Sequence, residues 1–212
     1  MELVKPSVEI ITPIEWIQDY PRIIELYGRT CYKSEDKITP ESSGKFIAMI
    51  MKSGHHSVIE HMSITVKFIG DRSMSHQLVR HRLAAYSQES QRYCNYGKKG
   101  FAFVCPPTIR NDPKLYERWN EYRQLDMEEY TFYLANGIPP EDARNGLPNA
   151  TKTEVVTTYN LRQWRHVFTD RALNPKAQWQ IREIMGEALR EFGRLLPSIF
   201  GDQLYELVRI HE

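Results

Sequence analysis

The sequence predicts an α+β fold in which helices outweigh strands. Strand-like runs are few and lie at irregular distances between helical stretches, so the βαβα rhythm of a doubly wound sheet is missing. No Gly-x-Gly-x-x-Gly occurs anywhere, and a built-in dinucleotide fold is therefore not expected. No repeat, low-complexity tract or Gly/Ser/Pro-rich linker divides the chain, so residues 1–212 are expected to form a single domain.

The elements follow in order. Thr12-Pro13-Ile14-Glu15 and Thr39-Pro40-Glu41 each read as an N-cap followed by proline at the first helical position. The second of these helices carries Phe46, Ile47, Ile50 and Met51 and stops at Gly54. Ile64, Val66 and Phe68 alternate with Ser63, Thr65 and Lys67, which marks a strand with one buried face. A helix is expected from about Asp71 to His81. Phe101 to Val104 is a short strand closed by Pro106-Pro107, and Asp112-Pro113 caps a long helix running to Asn136-Gly137. Pro139-Pro140-Glu141-Asp142 opens a short helix. Val155, Thr157 and Tyr159 alternate as a strand, then Leu161, Trp164 and Phe168 change to helical spacing, and Ala177 to Leu196 reads as a long amphipathic helix.

Composition excludes several classes. A 41% hydrophobic and 26% charged chain has the balance of a globular protein, and no stretch approaches the ~18 apolar residues of a membrane span. The first residues, Met1-Glu2-Leu3-Val4-Lys5-Pro6, lack the basic start and apolar segment of a secretory signal, so a cytoplasmic location is expected. The 28 basic and 27 acidic residues leave a net charge of +1, too little for a polyanion footprint, so no nucleic-acid partner is expected and any phosphate affinity must be local. Cys31, Cys94 and Cys105 fit neither a disulfide framework nor a Cys-x-x-Cys pair and are expected as reduced thiols.

The segment from Gln77 to Tyr93 crowds Arg80, Arg82 and Arg92 together with hydroxyls and amides. That is an anion site in outline, because a guanidinium presents a planar fork of donors matched to phosphate oxygens. The plainer alternative is a solvated basic helix end, where Arg80 and Arg82 favour the negative pole of the dipole. His55, His56, Glu60 and His61 are a candidate metal cluster, but His-x-x-x-Glu-His misses the known zinc spacings, and Ser57-Val58-Ile59-Glu60 reads equally well as a capping box. No metal site is expected. Tyr86 and Tyr93 are candidate stacking platforms for a nucleic acid, against which the near-zero net charge argues.

The order of residues is more specific. Arg80-His81-Arg82, seven residues, then Ser90 with Arg92-Tyr93 two residues later, resembles the signature of the flavin-dependent thymidylate synthases. Arg29-Thr30-Cys31-Tyr32, His55 to His61, Ala143 to Pro148, Asn160-Leu161-Arg162 and Ala177-Gln178-Trp179 resemble further family segments, in the family's order. The resemblance implies a central, mostly antiparallel sheet flanked by helices. It also implies reductive methylation of deoxyuridine monophosphate (dUMP) to thymidylate (dTMP), with carbon from 5,10-methylenetetrahydrofolate and reducing equivalents from NADPH through non-covalent FAD, in a homotetramer. By the same resemblance dUMP is held by Gln77, Leu78, Val79, Arg80, Gln88, Glu89, Ser90, Gln91, Arg92, Arg144 and Arg171. FAD is held by Ser57, Arg80, His81, Arg82, Gln88, Asn160, Leu161, Arg162 and His166, with Cys31 and His55 near it.

Arg171 is the expected catalytic electrophile. A fixed guanidinium beside the uracil ring stabilises negative charge as it develops there. Its structural alternative is a salt bridge with Asp170 or Glu154. Ala85 stands where the family often has Ser, Ser87 where it often has Asn, and Gln88 where it commonly has Glu. Gln88 keeps hydrogen-bond capacity but cannot act as a base, and the adjacent Glu89 is expected to point away from it. The rival thymidylate chemistry needs a nucleophilic cysteine in a Pro-Cys-His setting, which no cysteine here has. Ser90 has no Asp-His pair in the motif to activate it and reads as a ligand to phosphate or uracil.

Overall fold

The computed structural model describes residues 1–211. Six strands and ten α-helices follow in the order β1 (Glu2–Leu3), β2 (Ser7–Ile10), α1 (Ile14–Thr30), α2 (Ser42–Lys52), β3 (Ser63–Asp71), α3 (Arg72–Leu78), β4 (Ala85–Gln88) and α4 (Tyr96–Lys99). Then come β5 (Ala102–Phe103), α5 (Pro107–Arg110), α6 (Pro113–Ala135), α7 (Pro140–Ala143), β6 (Lys152–Asn160), α8 (Leu161–Arg171), α9 (Trp179–Leu195) and α10 (Pro197–His211). The expected α+β class, with a mostly antiparallel sheet flanked by helices, is what the chain adopts. Four strands are ordered β2-β3-β6-β4, and β1 pairs with β5 in parallel as a second, two-stranded sheet.

The chain divides into two compact units, each assembled from three segments: Met1–Ser7, Ile69–Val79 and Ser87–Val155 in one, and Val8–Phe68, Arg80–Tyr86 and residues from Val156 onward in the other. Strands β3 and β6 run from one unit into the other, so neither unit is a contiguous piece of chain.

The first unit is built around α6. Asp112 caps it as expected, its carboxylate accepting from the Lys114 and Leu115 amides, and Asn136-Gly137 ends it. Two aromatic clusters lie against it. Tyr96, Tyr130 and Ala143 form one, and Phe103, Cys105 and Trp119 the other. Phe101 touches both, meeting Tyr130 edge-on at 5.4 Å. The expected strand from Phe101 to Val104 shrinks to two residues, with Val104 passing its amide to the Ala150 carbonyl.

The second unit has the deeper core. Ile64, Val66 and Phe68 of β3 are fully buried, as the alternation predicts. Trp164, Phe168, Phe192 and Phe200, from α8, α9 and α10, pack ring against ring at 4.9 to 5.7 Å, mostly edge-on, and the Trp164 indole donates to the Ile64 carbonyl. Helices α1 and α2 approach closely at Gly28, where an added Cβ would meet the Phe46 ring at 2.6 Å. Beneath that crossing Glu25, only 1% exposed, accepts two bonds from the Arg29 guanidinium and one from the Ser42 hydroxyl. This is the satisfied form in which a charge tolerates burial.

Several local expectations are corrected. Thr12 does not cap α1: Pro13 holds the N-cap position without a side-chain bond, and the Thr12 hydroxyl instead accepts from the Thr65 amide at 2.8 Å. A residue before proline is pushed to extended backbone, which leaves its side chain beside the neighbouring strand. Thr39 likewise does not cap α2, whose N-cap is Glu41. The helix expected from Asp71 to His81 begins where predicted, with the Asp71 carboxylate on the Met74 amide, but ends at Leu78. After it Leu83 takes a left-handed φ of 64° and β4 joins the sheet, so Arg80-His81-Arg82 forms an irregular turn. Ser57 and Glu60 do not form a capping box. Both lie inside a 3-10 turn, His56–His61, whose N-cap is His55.

Candidate active site

The candidate residues fall into two groups, one in each unit. In the second unit the Arg80-His81-Arg82 turn presents both arginines outward and His81 inward, with His81 only 6% exposed. The Arg171 Nε donates to His81 Nε2 at 2.8 Å. Since a guanidinium can only donate, His81 must be the acceptor at Nε2 and carry its proton on Nδ1. Burial first, and the Arg171 charge second, hold the imidazole well below its ordinary value of 6.5, at about 4. His81 is thus a neutral group that orients a permanent cation. As for the alternative partners of Arg171, the Asp170 carboxylate lies 3.4 Å from His166 Nε2, and Glu154 takes Lys152 at 2.5 Å.

The His166 ring meets His81 edge-on at 5.9 Å. Potential ligand atoms of His81, His166 and Asp170 lie within 4.8 Å of one another, which the spacing around His55 to His61 did not anticipate. The guanidinium on His81 places a positive charge at that cluster, an environment suited to an anion.

Leu161 is fully buried and its amide donates to the Met62 carbonyl, while Asn160 caps α8 by accepting from the Gln163 amide. Arg162 and Glu60 pair at 2.6 Å on the surface. Ser57 is exposed in the 3-10 turn that carries Glu60. The Tyr32 hydroxyl meets His55 Nδ1 at 2.8 Å, next to the exposed Cys31. Exposed arginines at 80, 82 and 162, a serine hydroxyl and two histidines are a donor-rich set, chemically suited to the pyrophosphate and heteroatoms of a flavin dinucleotide.

In the first unit Gln88 Nε2 donates to the Ser75 and Thr153 hydroxyls, at 2.9 and 3.2 Å. A carboxylate in that place would have to accept from those hydroxyls, so glutamine reverses the direction of the bonds. Glu89 points elsewhere, as expected: its carboxylate accepts from Tyr96 Oη at 3.0 Å and Lys152 Nζ at 3.1 Å, and Lys152 also holds Glu154. Burial and the neighbouring carboxylate of Glu89 push the Tyr96 hydroxyl upward, so it remains a donor. The Glu89 side chain is therefore already engaged, whereas in the following turn, Ser90 to Cys94, Arg92 and Tyr93 are exposed and Ser90, Gln91 and Cys94 half-buried.

Arg92 and Arg144 meet at one residue that sequence reasoning did not single out as functional. The Glu141 carboxylate accepts from Arg92 Nε at 2.7 Å, and its backbone carbonyl from Arg144 Nε at 2.9 Å. The Arg92–Glu141 pair is 57% and 44% exposed, so an incoming phosphate can exchange for the carboxylate at little cost. Arg92 also lies over the Tyr93 ring at 5.2 Å. Gln77, Leu78 and Val79 form the end of α3 and the residue after it, with Leu78 fully buried and Val79 37% exposed. Ser90 sits in a turn whose carbonyl accepts from the Cys94 amide at 2.8 Å. All three cysteines are free thiols: Cys31 is exposed, Cys94 half-buried and Cys105 buried, with burial pushing the Cys105 thiol upward.

Sequence reasoning also missed any role for the Tyr86 and Tyr159 hydroxyls, which meet at 2.7 Å. Tyr159 was readable as a buried strand residue, but periodicity carries no information about where a hydroxyl finds its partner.

Comparison with known proteins adds sequence and fold. Residues 14–198 match the family model described as "Thymidylate synthase complementing protein". The chain is 37% identical over 199 residues to the flavin-dependent thymidylate synthase of Geobacter sulfurreducens, covering 91% of this chain and 85% of that one. It is 36% identical over 185 residues to the enzyme of the same name from Pyrococcus furiosus, covering 86% and 75%. In fold it resembles the UMP/dUMP methylase PolB from Streptomyces cacaoi, solved with 5-Br dUMP, at a TM-score of 0.76 and 23% identity over 95% of this chain and 96% of that one.

Proposed function

Since the chain belongs to the thymidylate synthase complementing protein family, the flavin-dependent thymidylate synthases, we propose that it converts dUMP to dTMP, with 5,10-methylenetetrahydrofolate as carbon donor and NADPH as reductant acting through bound FAD. The observation that carries the reading beyond family membership is the Arg171–His81 pair. A guanidinium fixed through its Nε by a buried neutral imidazole keeps its charge and its direction without competition from an anion in that bond. Such preorganised charge is commonly the largest catalytic contribution where an electron-rich ring must gain negative character.

The roles follow from the chemistry of each group. Arg92 and Arg144, gathered by Glu141, bind the dUMP phosphate, and Arg80 contributes a further charge. Gln77, Leu78 and Val79, with the Ser90-Gln91 turn, line the nucleotide through peptide and side-chain donors. Glu89 acts through its backbone, because Tyr96 and Lys152 hold its carboxylate. Gln88 offers its amide carbonyl as an acceptor while its NH2 group is tied down, so no proton is taken at this residue. Arg171 stabilises negative charge on the uracil oxygens.

Ser57, Arg80, His81, Arg82, Gln88, Asn160, Leu161, Arg162 and His166 hold the FAD, non-covalently, with Cys31 and His55 nearby. When bound, the flavin supplies the reducing equivalents that complete the methyl group. The same reading makes the protein a cytoplasmic homotetramer in which residues 1–212 act as one domain. Among the described residues, no helix is long and apolar enough to cross a membrane.

The test is anaerobic reduction of the yellow protein by NADPH, followed by dUMP and methylenetetrahydrofolate. Flavin reoxidation with formation of dTMP is the expected result. A protein that is purified colourless and fails to take up FAD overturns the reading.

A further inference from the structure

The Arg80-His81-Arg82 turn has no helix or strand to hold it, and its continuation includes Leu83 in the left-handed region, 82% exposed. A turn of this kind keeps one shape only if contacts outside its own backbone over-determine it. The Tyr86 hydroxyl donates to the His81 carbonyl at 2.6 Å. It also meets the Tyr159 hydroxyl at 2.7 Å, with the two rings edge-on at 5.9 Å. Tyr159 is 1% exposed and stands edge-on to the fully buried Trp164 at 4.6 Å.

The directions of these bonds are determined. A carbonyl can only accept, so the single Tyr86 proton is spent on His81, and Tyr159 must therefore be the donor to Tyr86. Protons run one way, from Tyr159 to Tyr86 to the His81 carbonyl, and the His81 ring then takes the Arg171 Nε–H. Burial disfavours the phenolate and pushes both phenols above their ordinary range, which keeps both hydroxyls protonated as donors.

We propose that Tyr86 is a positioning residue: its hydroxyl, oriented by the Tyr159 hydroxyl, ties the Arg-His-Arg turn to the core and, through His81, sets the direction of the Arg171 guanidinium. The consequence for catalysis rests on the function proposed above, whereas the effect on Arg171 does not. The pair is unequal. Tyr86→Phe removes both the bond to His81 and the acceptor that Tyr86 offers Tyr159, whereas Tyr159→Phe leaves the bond to His81 in place.

Two measurements on the full-length, FAD-loaded protein test this. In steady-state thymidylate synthesis, Tyr86→Phe lowers kcat about tenfold with KM for dUMP changed less than about twofold, and Tyr159→Phe changes kcat less than about threefold. In 15N-labelled protein below its melting temperature, hydrogen exchange at the Arg171 Nε–H speeds up about tenfold in Tyr86→Phe and stays near wild type in Tyr159→Phe. A purely structural role would lower Tm in both variants and leave the exchange rate unmoved. The proposal is overturned if Tyr86→Phe keeps wild-type kcat and exchange, or if Tyr159→Phe loses as much as Tyr86→Phe. Should Tyr86→Phe fail to fold, the wild-type protein still decides, because an Arg171 Nε–H that exchanges as fast as a solvated guanidinium overturns the proposal. If the wild-type protein makes no dTMP, the function proposed above fails, and the exchange measurement alone decides the positioning role.

Discussion

Arg92 and His81 show how far single residues depend on their surroundings. Arg92 is held by an exposed carboxylate, so its charge contributes little to folding and is available to a ligand. Arg92→Ala is therefore expected to cost less than about 1 kcal/mol of stability. Loss of a charge-assisted bond of about 1.5–3 kcal/mol should weaken dUMP binding by roughly ten- to a hundredfold. Flavin affinity should stay within about twofold, and titration of both ligands by calorimetry checks the separation. Equal loss of both contradicts the assignment of Arg92 to the nucleotide. His81 makes a prediction in pH. Its folded value, about 4, lies below its ordinary 6.5, so between those values the unfolded chain binds more protons than the folded one. Its contribution is fully present above pH 6.5 and is lost as pH falls through 4, by up to about 3 kcal/mol. A 15N titration should give His81 a midpoint near 4, and a midpoint at its ordinary value would refute the buried neutral imidazole.

At the scale of elements, the caps decide where the site residues emerge. Helix α3 is seven residues long, too short to persist by propensity, and its first turn hangs on the Asp71 carboxylate at the Met74 amide. Its other end delivers Gln77, Leu78 and Val79. Asp71→Ala is expected to cost about 1–2 kcal/mol and Asp71→Asn distinctly less, because only the latter keeps a capping oxygen. Denaturant unfolding of the two variants measures the difference, and equal losses would show that the cap is not what holds the helix. The beginnings of α3, α6 and α8 were legible because Asp71, Asp112 and Asn160 act on amides two or three residues away. The starts of α1 and α2 misled for different reasons: the Thr12 hydroxyl accepts from the Thr65 amide of β3, whereas Thr39 gives its amide to the Ser42 hydroxyl in the first turn of α2 and leaves the N-cap position to Glu41. The short strand β4 escaped notice because Ala85-Tyr86-Ser87-Gln88 has no apolar alternation and is strand only through its place in the sheet.

For the molecule as a whole, the chemistry proposed here needs no cysteine nucleophile. Replacing Cys31, Cys94 and Cys105 together by Ser should leave measurable dTMP formation, at a stability cost of about 1 kcal/mol per buried thiol, whereas Arg171→Ala should nearly abolish it. The assay is run at saturating FAD with each single variant beside the triple. Loss of turnover in one Cys→Ser protein that stays folded and yellow would overturn the cysteine-free mechanism.

The sequence by itself determined the α+β class, the buried faces of β3 and β6, the long capped α6 and the family to which the chain belongs. These depend on periodicity, local capping and an ordered motif, all of which act over a few residues or are carried by residue identity. Only the tertiary structure decided that Arg171 rests on His81, 90 residues away, and that Tyr159 reaches Tyr86 across 73. It also decided that Glu141 gathers Arg92 with Arg144, and that Lys152 holds Glu89. The physical reason is the same in each case. Burial follows from the pattern of apolar side chains along an element, but a hydrogen bond needs its partner within about 3 Å in the right direction, and which partner arrives there depends on how distant segments pack.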